Sequence, residues 1–253
     1  MPHAREIVAF LDDLLVPGTF ADYGPNGLQV PGRDEVRRIA TGVSASLELF
    51  ERAATGGADL VLVHHGLFWD KAPRALSPPA AARLRALLGA DMNLVAYHLP
   101  LDAHPEVGNN ALLATGLGAA GHRPFAEHGG RAVGVAADFG ADGVEATDLF
   151  ARVRELTGRD PLVFADGPDR VRSLGIVSGG AAGDLDTAIA AGLDGFLTGE
   201  PSEPAMTAAR EARVHFIAAG HYATETFGVR RVGELLAERF GVAHEFIDVP
   251  NPV

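Results

Sequence analysis

Three short apolar segments that each lead into a histidine constrain the fold of this chain most. The segments and their histidines are residues 58–63 with His64 and His65, residues 93–97 with His98, and residues 215–219 with His221. Short apolar runs that alternate with helical patterns predict buried strands of a largely parallel α/β sheet. Sites in open α/β sheets lie at the carboxyl ends of strands, so these histidines are candidate site residues.

Two carboxylates follow the histidines at short spacing. Asp102 comes four residues after His98, and Glu225 comes four residues after His221. His221 and Glu225 fall at the start of a predicted helix, where residues four apart share one face. Pro100 favours a loop between His98 and Asp102. Imidazole and carboxylate groups together suit divalent ions such as zinc, iron or manganese.

The adjacent pair His64 and His65 permits more than one interpretation. Neighbouring residues of a strand point to opposite faces, so both side chains share one site only where the strand has ended. Gly66 permits a sharp turn at that point. The two histidines could instead bind one ion each of a neighbouring pair. The alternative without a metal is a pair that caps the strand by hydrogen bonds to the backbone.

The order of elements predicts an α/β protein with a two-domain α/β/α architecture and mostly parallel or mixed sheets. Helical patterns cover residues 6–15, 47–54, 79–88, 109–115, 144–156, 184–191, 204–210 and 223–240. Strand patterns cover residues 36–43, 58–63, 93–97, 131–137, 162–165, 171–177, 195–197, 214–218 and 245–249.

A change of composition near Gly121 suggests two domains. Residues 121–130 contain three glycines, two histidines and a proline, which is typical of a connection. We expect a discontinuous first domain, 1–105 plus 220–253, with a second domain, 106–219, inserted into it. The candidate ligands come from before and after the insertion. A site made from them would lie in the cleft between the domains, where ligands commonly bind.

Composition excludes several classes of protein. The chain has 253 residues, is 47% hydrophobic and contains no cysteine, which excludes disulfide and thiolate-metal scaffolds. Its formal charge of −12 disfavours a general nucleic-acid surface. No apolar run approaches the roughly 20 residues that span a bilayer. The first residues lack the apolar core of a signal peptide, so we expect a cytoplasmic protein.

Other polar and aromatic residues rank lower as site candidates. Glu200 follows the strand pattern 195–197 and could face the cleft, although a cap or a salt bridge is an equal alternative. The segment 178–180, Ser-Gly-Gly, is only weakly typical of a phosphate-binding turn, because G-x-G-x-x-G and the Walker lysine are absent. Trp69 could wall the site, but packing in the core is the default for a tryptophan.

Four ordered motifs resemble one known family. They are DYGPNGLQV at 22–30, HHGLFW at 64–69, YHLPLDAHP at 97–105 and AGHYATE at 219–225. Together they resemble the Nif-three-like dinuclear metal-centre family, which is also labelled GTP cyclohydrolase I type 2-like. The resemblance runs nearly end to end and includes the closing segment 247–252.

The resemblance implies two divalent metal ions per chain, held by His64, His65, Asp102, His221 and Glu225. By similarity, His65 and Asp102 would hold one ion and His64 and His221 the other, with Glu225 as the bridge. The resemblance also implies two α/β domains per subunit and a toroidal homohexamer. No organic cofactor is implied.

These observations favour a metal-dependent hydrolase that acts on a small, nucleotide-like substrate. Two nearby ions can generate hydroxide from a shared water near neutral pH. His98 is the candidate for second-sphere orientation or proton transfer, and a structural hydrogen bond is its alternative role. The rival class is a non-enzymatic metal-binding protein that acts in regulation or through protein partners.

Overall fold

The computed structural model describes all residues, 1–253, as an α/β protein with two main sheets. The helices are α1 (Ala4–Leu15), α2 (Leu47–Thr55), α3 (Pro78–Gly89), α4 (Leu99–Ala103), α5 (Asn109–Gly116), α6 (Ala146–Thr157), α7 (Leu185–Ala190), α8 (Ala205–Ala212), α9 (His221–Thr224) and α10 (Thr226–Phe240). Short 3₁₀ turns cover Pro17–Thr19 and Ala182–Asp184.

The strands are β1 (Gly27–Val30), β2 (Arg38–Ser44), β3 (Leu60–His65), β4 (Asn93–Ala96), β5 (Gly121–His128), β6 (Arg131–Asp138), β7 (Val144–Glu145), β8 (Leu162–Ala165), β9 (Arg170–Val171), β10 (Ser173–Ile176), β11 (Gly195–Thr198), β12 (His215–Ala218) and β13 (Ala243–Phe246). None of the helices is both long and apolar enough to cross a bilayer.

The chain forms two compact units. The first comprises residues 1–101 and 228–250, and the second comprises residues 102–227 and 251–253. Residues 102–105 and 220–227 therefore pack with the second unit.

The first unit is built on a five-stranded sheet with the order β1-β4-β3-β2-β13. The four strands from β4 to β13 run parallel, and β1 pairs antiparallel with β4 at one edge. Alternate residues of β3 point to opposite faces. Val61 and Val63 join a core with α2 and α3, while Leu60 and Leu62 are equally buried. Burial of both faces explains why β3 is a continuous apolar run.

The second unit is built on a six-stranded mixed sheet with the order β5-β6-β10-β11-β12-β8. Strands β10, β11 and β12 are parallel, whereas β5, β6 and β8 are antiparallel to their neighbours. Its core contains Leu149 and Val153 of α6 against Leu174, Leu197 and Ile217 of the parallel strands. Three parallel strands bring their carboxyl ends to one edge of this sheet.

The predicted connection at residues 121–130 is wrong. The segment is mostly β5, an edge strand that pairs with β6 along its length and turns at Gly129 and Gly130. Pro124 is tolerated because an edge strand needs fewer ladder hydrogen bonds. Ala126 has a φ of 54° and lies out of register, as a bulge does. The strand has few buried residues and an irregular backbone, so its sequence lacks a clear alternating pattern.

Two local predictions near the candidate ligands are also wrong. The segment from Leu99 to Ala103 is the short helix α4, because proline is accepted in a first helical turn. The closing helix predicted over 223–240 is interrupted at Glu225, whose φ of −111° and ψ of 6° end α9 before α10 begins. His221 and Glu225 therefore do not share one continuous helix.

Candidate metal centre

Three histidines of the first unit lie at one edge of its sheet. His64 and His65 end β3, and His98 lies two residues beyond the end of β4. Because β3 and β4 are parallel neighbours, their carboxyl ends meet at the same edge. The ring centroids of His64 lie 4.6 Å from His65 and 4.9 Å from His98. The three imidazoles each offer a ligand atom, and these atoms lie within 4.8 Å of one another.

Glycine at position 66 allows the chain to leave β3 directly after the two histidines. A Cβ atom on Gly66 would lie 2.3 Å from the side-chain amide of Gln29. That amide accepts a hydrogen bond from the backbone N–H of Leu67 and donates one to the carbonyl of Pro25. Gln29 thus fixes the turn after His65. Its amide occupies the space that a side chain at position 66 would need.

Each of the three rings is oriented by a hydrogen bond at Nδ1. The partner of His64 Nδ1 is the Tyr97 carbonyl at 3.0 Å, and that of His65 Nδ1 is the Ser44 hydroxyl at 3.1 Å. A carbonyl oxygen only accepts, so His64 donates from Nδ1 and its neutral ring carries the lone pair on Nε2. We call a group that hydrogen-bonds to a ligand residue without contacting the metal an outer partner. A metal-binding histidine held by an outer partner at Nδ1 adopts this tautomer.

His98 is held by the buried carboxylate of Asp22. Its Nδ1 lies 2.6 Å from Asp22 Oδ1, and its backbone N–H donates to the side-chain oxygen of Asn26. Asp22 also accepts from Asn26 Nδ2 and from the backbone of Leu99 and Tyr23. Burial acts to raise the pKa of Asp22, but the hydrogen bonds and charge of His98 outweigh it and leave the pKa below its usual value. Asp22 is therefore an anion that orients His98.

In the second unit, candidate residues follow three parallel strands. Ser178 follows β10, Glu200 follows β11, and His221 follows β12. The turn that begins at Ser178 contains Gly179, which has a φ of 68°. A Cβ atom on Gly179 would lie 2.3 Å from Glu225 Oε1. The Ser-Gly-Gly turn therefore makes room for a carboxylate, which differs from the phosphate-binding role that its sequence weakly suggested.

His221 lies between two glutamates. Its Nε2 is 3.2 Å from Glu225 Oε1, and its Nδ1 forms a short hydrogen bond with Glu200. The hydrogen bond with Glu225, opposed by burial and supported by the charges of both glutamates, raises the pKa of His221 to about 9. Glu225 is only 2% exposed. In the absence of a cation, a proton on His221 therefore compensates a buried carboxylate.

Asp102 is a second buried carboxylate of this unit. Asn109 Nδ2 donates to its Oδ1 at 2.8 Å, and Ser178 Oγ donates to the same oxygen at 2.9 Å. Asn110 ties the surroundings together, because it accepts from the backbone N–H of Ser178 and donates to the carbonyl of Val133. The two hydrogen bonds orient Asp102, and sequence reasoning did not predict either donor as its partner.

Trp69 packs against the histidines of the first unit, so the default assignment to the core is wrong. Its ring centroid lies 5.2 Å from that of His98, with the rings nearly perpendicular, and 6.0 Å from that of His65. Its indole N–H donates to the carbonyl of Gly66. His104, by contrast, accepts backbone hydrogen bonds from Glu106 and Val107 and serves the local turn.

The donor set suits a divalent transition metal. Imidazole nitrogens and carboxylate oxygens, without any thiolate, are ligands for zinc, iron or manganese. The groups of histidine, aspartate and glutamate in this structure could hold a metal ion. Outer partners that fix ring tautomers and carboxylate orientation are also characteristic of metal ligands.

The comparisons with known proteins all indicate the same family. A family model described as Duf34/NIF3 (NGG1p interacting factor 3) matches residues 2–252. A Pseudomonas aeruginosa protein called GTP cyclohydrolase 1 type 2 homolog is 45% identical, over 97% of each chain. A Deinococcus radiodurans protein of the same name is 42% identical, over 97% of this chain and 93% of its own.

Solved structures agree with these relatives. A Thermus thermophilus protein of known structure superposes with a TM-score of 0.90 at 36% identity, and the match covers 99% of this chain and 100% of that one. The chain therefore belongs to the DUF34/NIF3 family.

Proposed function

We propose that this chain is a dinuclear metal protein in which His64, His65, Asp102, His221 and Glu225 hold two divalent ions. The observation that carries the proposal is the set of oxygen partners at the Nδ1 atoms of His64, His65 and His221. Three rings oriented in this way are expected for ligation through Nε2. The assignment of His65 and Asp102 to one ion, and of His64 and His221 to the other, stays a prediction.

We further propose that the protein is a metal-dependent hydrolase. When bound, a pair of divalent ions supplies a water of lowered pKa and polarises the bond under attack. His98 would give or take a proton at Nε2, because Asp22 holds its Nδ1 and fixes the ring. The buried carboxylates of Asp102 and Glu225 supply the negative charge that retains cations.

The proposed substrate is a small, nucleotide-like molecule. Support comes from relatives at 40–45% identity that carry the name GTP cyclohydrolase 1 type 2 homolog. The name suggests opening of the imidazole portion of a purine, and a phosphoester or amide bond is equally compatible with dinuclear chemistry. A nucleotide panel is therefore the first assay.

The test compares metal-loaded wild type with two histidine variants. We expect turnover of at least one nucleotide by wild type, its loss in His64→Ala, and its retention in His122→Ala, which changes a histidine on the edge strand β5. Metal content is measured in parallel. A wild type that binds two ions and turns over no substrate would contradict the hydrolase and favour a metal-binding regulatory protein.

We also propose a closed ring of six subunits, which rests on the family resemblance; closed symmetry is the usual state of soluble homo-oligomers. Light scattering should then give a mass about six times that of the 26.4 kDa chain. A monomer mass at micromolar concentration would contradict the ring.

A further inference from the structure

Two loops of the first unit are held together by their backbones. The N–H of Asp70 donates to the carbonyl of Tyr23 at 2.9 Å. A Cβ atom on Gly24 would lie 2.4 Å from the carbonyl oxygen of Phe68. A side chain at position 24 would therefore push the two loops apart, and glycine lets them meet.

These loops carry three aromatic side chains, Tyr23, Phe68 and Trp69, which we call the aromatic patch. Tyr23 is 53% exposed and Phe68 is 40% exposed. Single exposed aromatic residues are common on protein surfaces, so exposure alone has little meaning. The location of Tyr23 and Trp69 is more informative, because their ring centroids lie 6.1 Å and 5.2 Å from that of His98.

The aromatic patch is pre-oriented. The indole of Trp69 is fixed by its hydrogen bond to Gly66, and the contacts between the loops fix the backbone from which the Tyr23 and Phe68 side chains project. Aromatic side chains have few rotatable bonds, so they offer a large contact area at a low entropic cost. A planar ligand could bind here without much rearrangement of the protein.

The charges of the two segments favour binding of an aromatic ring of a ligand over binding of a phosphate group. Segments 22–30 and 64–70 contain no lysine or arginine, and the cations that follow Asp70, Lys71 and Arg74, are exposed to solvent. Phosphate recognition generally uses arginine, lysine or helix amino termini. Exposed π faces instead bind nucleobases by stacking, with little dependence on which base is present.

We infer that the aromatic patch binds the planar heteroaromatic ring of the substrate, of the nucleobase class, beside His98. This inference rests on the proposed function, which it makes more specific. It assigns Tyr23 and Phe68 as specificity residues that touch the ring, while Trp69 lies between the ring and the histidines. Substrates without an aromatic ring would lose this contribution to binding.

Trp69 provides a direct readout, because it is the only tryptophan of the chain. Guanosine, which has a base and no phosphate, should quench its fluorescence saturably in both metal-loaded and metal-stripped protein. Inorganic tripolyphosphate should not. Loss of one stacking partner costs about 1–3 kcal/mol, which corresponds to a roughly 5- to 150-fold rise in Kd for Tyr23→Ala.

Three further variants make the test specific. Tyr23→Phe keeps the ring and should bind guanosine like wild type, and Phe68→Ala should weaken binding. Leu88→Ala removes a 62% exposed apolar side chain from α3 and should change nothing. Metal content should be equal in all four variants. Absence of quenching by guanosine, or equal affinity in Tyr23→Ala and wild type, would overturn the inference.

The two proposals fail in distinguishable ways. If metal-loaded Tyr23→Ala hydrolyses nucleotides with an unchanged KM, the aromatic patch is wrong and the hydrolase stands. If guanosine binds in a Tyr23-dependent manner while no nucleotide is turned over, the hydrolase is wrong and the aromatic patch stands. Quenching by a phenylalanine-containing peptide but not by guanosine would indicate a protein partner and would contradict the inference.

Discussion

The proposed ligands His64 and His65 of the first unit and His221 of the second unit lie in different electrostatic settings. In the first unit, His64 and His65 are oriented by a backbone carbonyl and a hydroxyl, which carry no charge. In the second unit, His221 contacts Glu200 and Glu225, and its pKa is raised to about 9. Protons should therefore compete with cations mainly at the second unit.

In the proposed metal centre, the residues of the two units would have different tasks. Neutral imidazoles provide directed lone pairs but attract cations weakly. Buried carboxylates attract cations strongly but are costly to desolvate while no cation is present. The protonated form of His221 offsets that cost in the metal-free protein. Substitutions in the two units should therefore change metal affinity by different amounts and with a different dependence on pH.

The largest effect on metal affinity is expected for Glu225→Ala. If Glu225 bridges the two ions as proposed, its loss should lower the affinity for both, by more than the roughly 100-fold that loss of an outer partner costs. His65→Ala should chiefly weaken one ion. Metal titration of both variants measures the difference, with Glu234→Ala, an exposed glutamate of α10, as the control. If Glu225→Ala kept two tightly bound ions, Glu200 would become the next candidate for the bridge.

The next largest effect is expected for His98→Gln. Loss of a general acid or base typically lowers kcat by about 10²- to 10⁴-fold. Metal content should stay at the wild-type level, because His98 is not among the proposed ligands. Asp22→Asn should lower kcat less, since it changes only the partner at Nδ1. Unchanged turnover in His98→Gln would show that its hydrogen bonds are structural.

A smaller effect is expected for Glu200→Gln. Glu200 orients His221 through Nδ1, and removal of such an outer partner costs about 10- to 100-fold in metal affinity. Glu203→Gln, an exposed glutamate three residues further on, is the matched control. Equal metal affinities in the two variants would mean that Glu200 forms only a surface ion pair.

The last expected effect, which is small per pH unit, is a pH dependence of metal affinity at His221. Because its pKa is raised to about 9, the ring is protonated at pH 7 and must lose a proton before it binds a cation. Metal affinity should rise up to about tenfold per pH unit and level off near pH 9. The same raised pKa stabilises the metal-free fold below about pH 6.5, and this stability is lost as the pH rises through 9.

Calorimetry in buffers of different ionisation enthalpy measures the proton directly. About one proton per chain should be released from His221 when metal binds at pH 7. Release of no proton, together with an affinity that is flat between pH 7 and 9, would contradict the role assigned to this histidine.

Sequence patterns predicted the features that depend on local periodicity. The apolar runs correctly gave β3, β4 and β12, and the parallel pairing of β3 with β4 brings His64 and His98 to one edge. The edge strand β5 was missed because only Phe125 and Ala126 are buried in it, so alternation is weak. Its pairing comes from the hairpin with β6 and not from its own composition.

The hydrogen-bond partners of His98 and Asp102 could not be predicted, because they are distant in sequence. Asp22 reaches His98 across 76 residues, and Ser178 reaches Asp102 across the same separation. An aspartate or a serine in a sequence does not by itself indicate which residue it contacts. The motif at 22–30 was a signal for Asp22, but its segment gave no indication of which side chain it contacts.

The stoichiometry of bound metal tests the central claim most directly. Fully reconstituted protein, freed of excess metal and measured by elemental analysis, should carry about two divalent ions per chain, as a paired site requires. The His122→Ala variant should carry the same number. One ion or fewer per chain after full reconstitution would contradict the dinuclear centre.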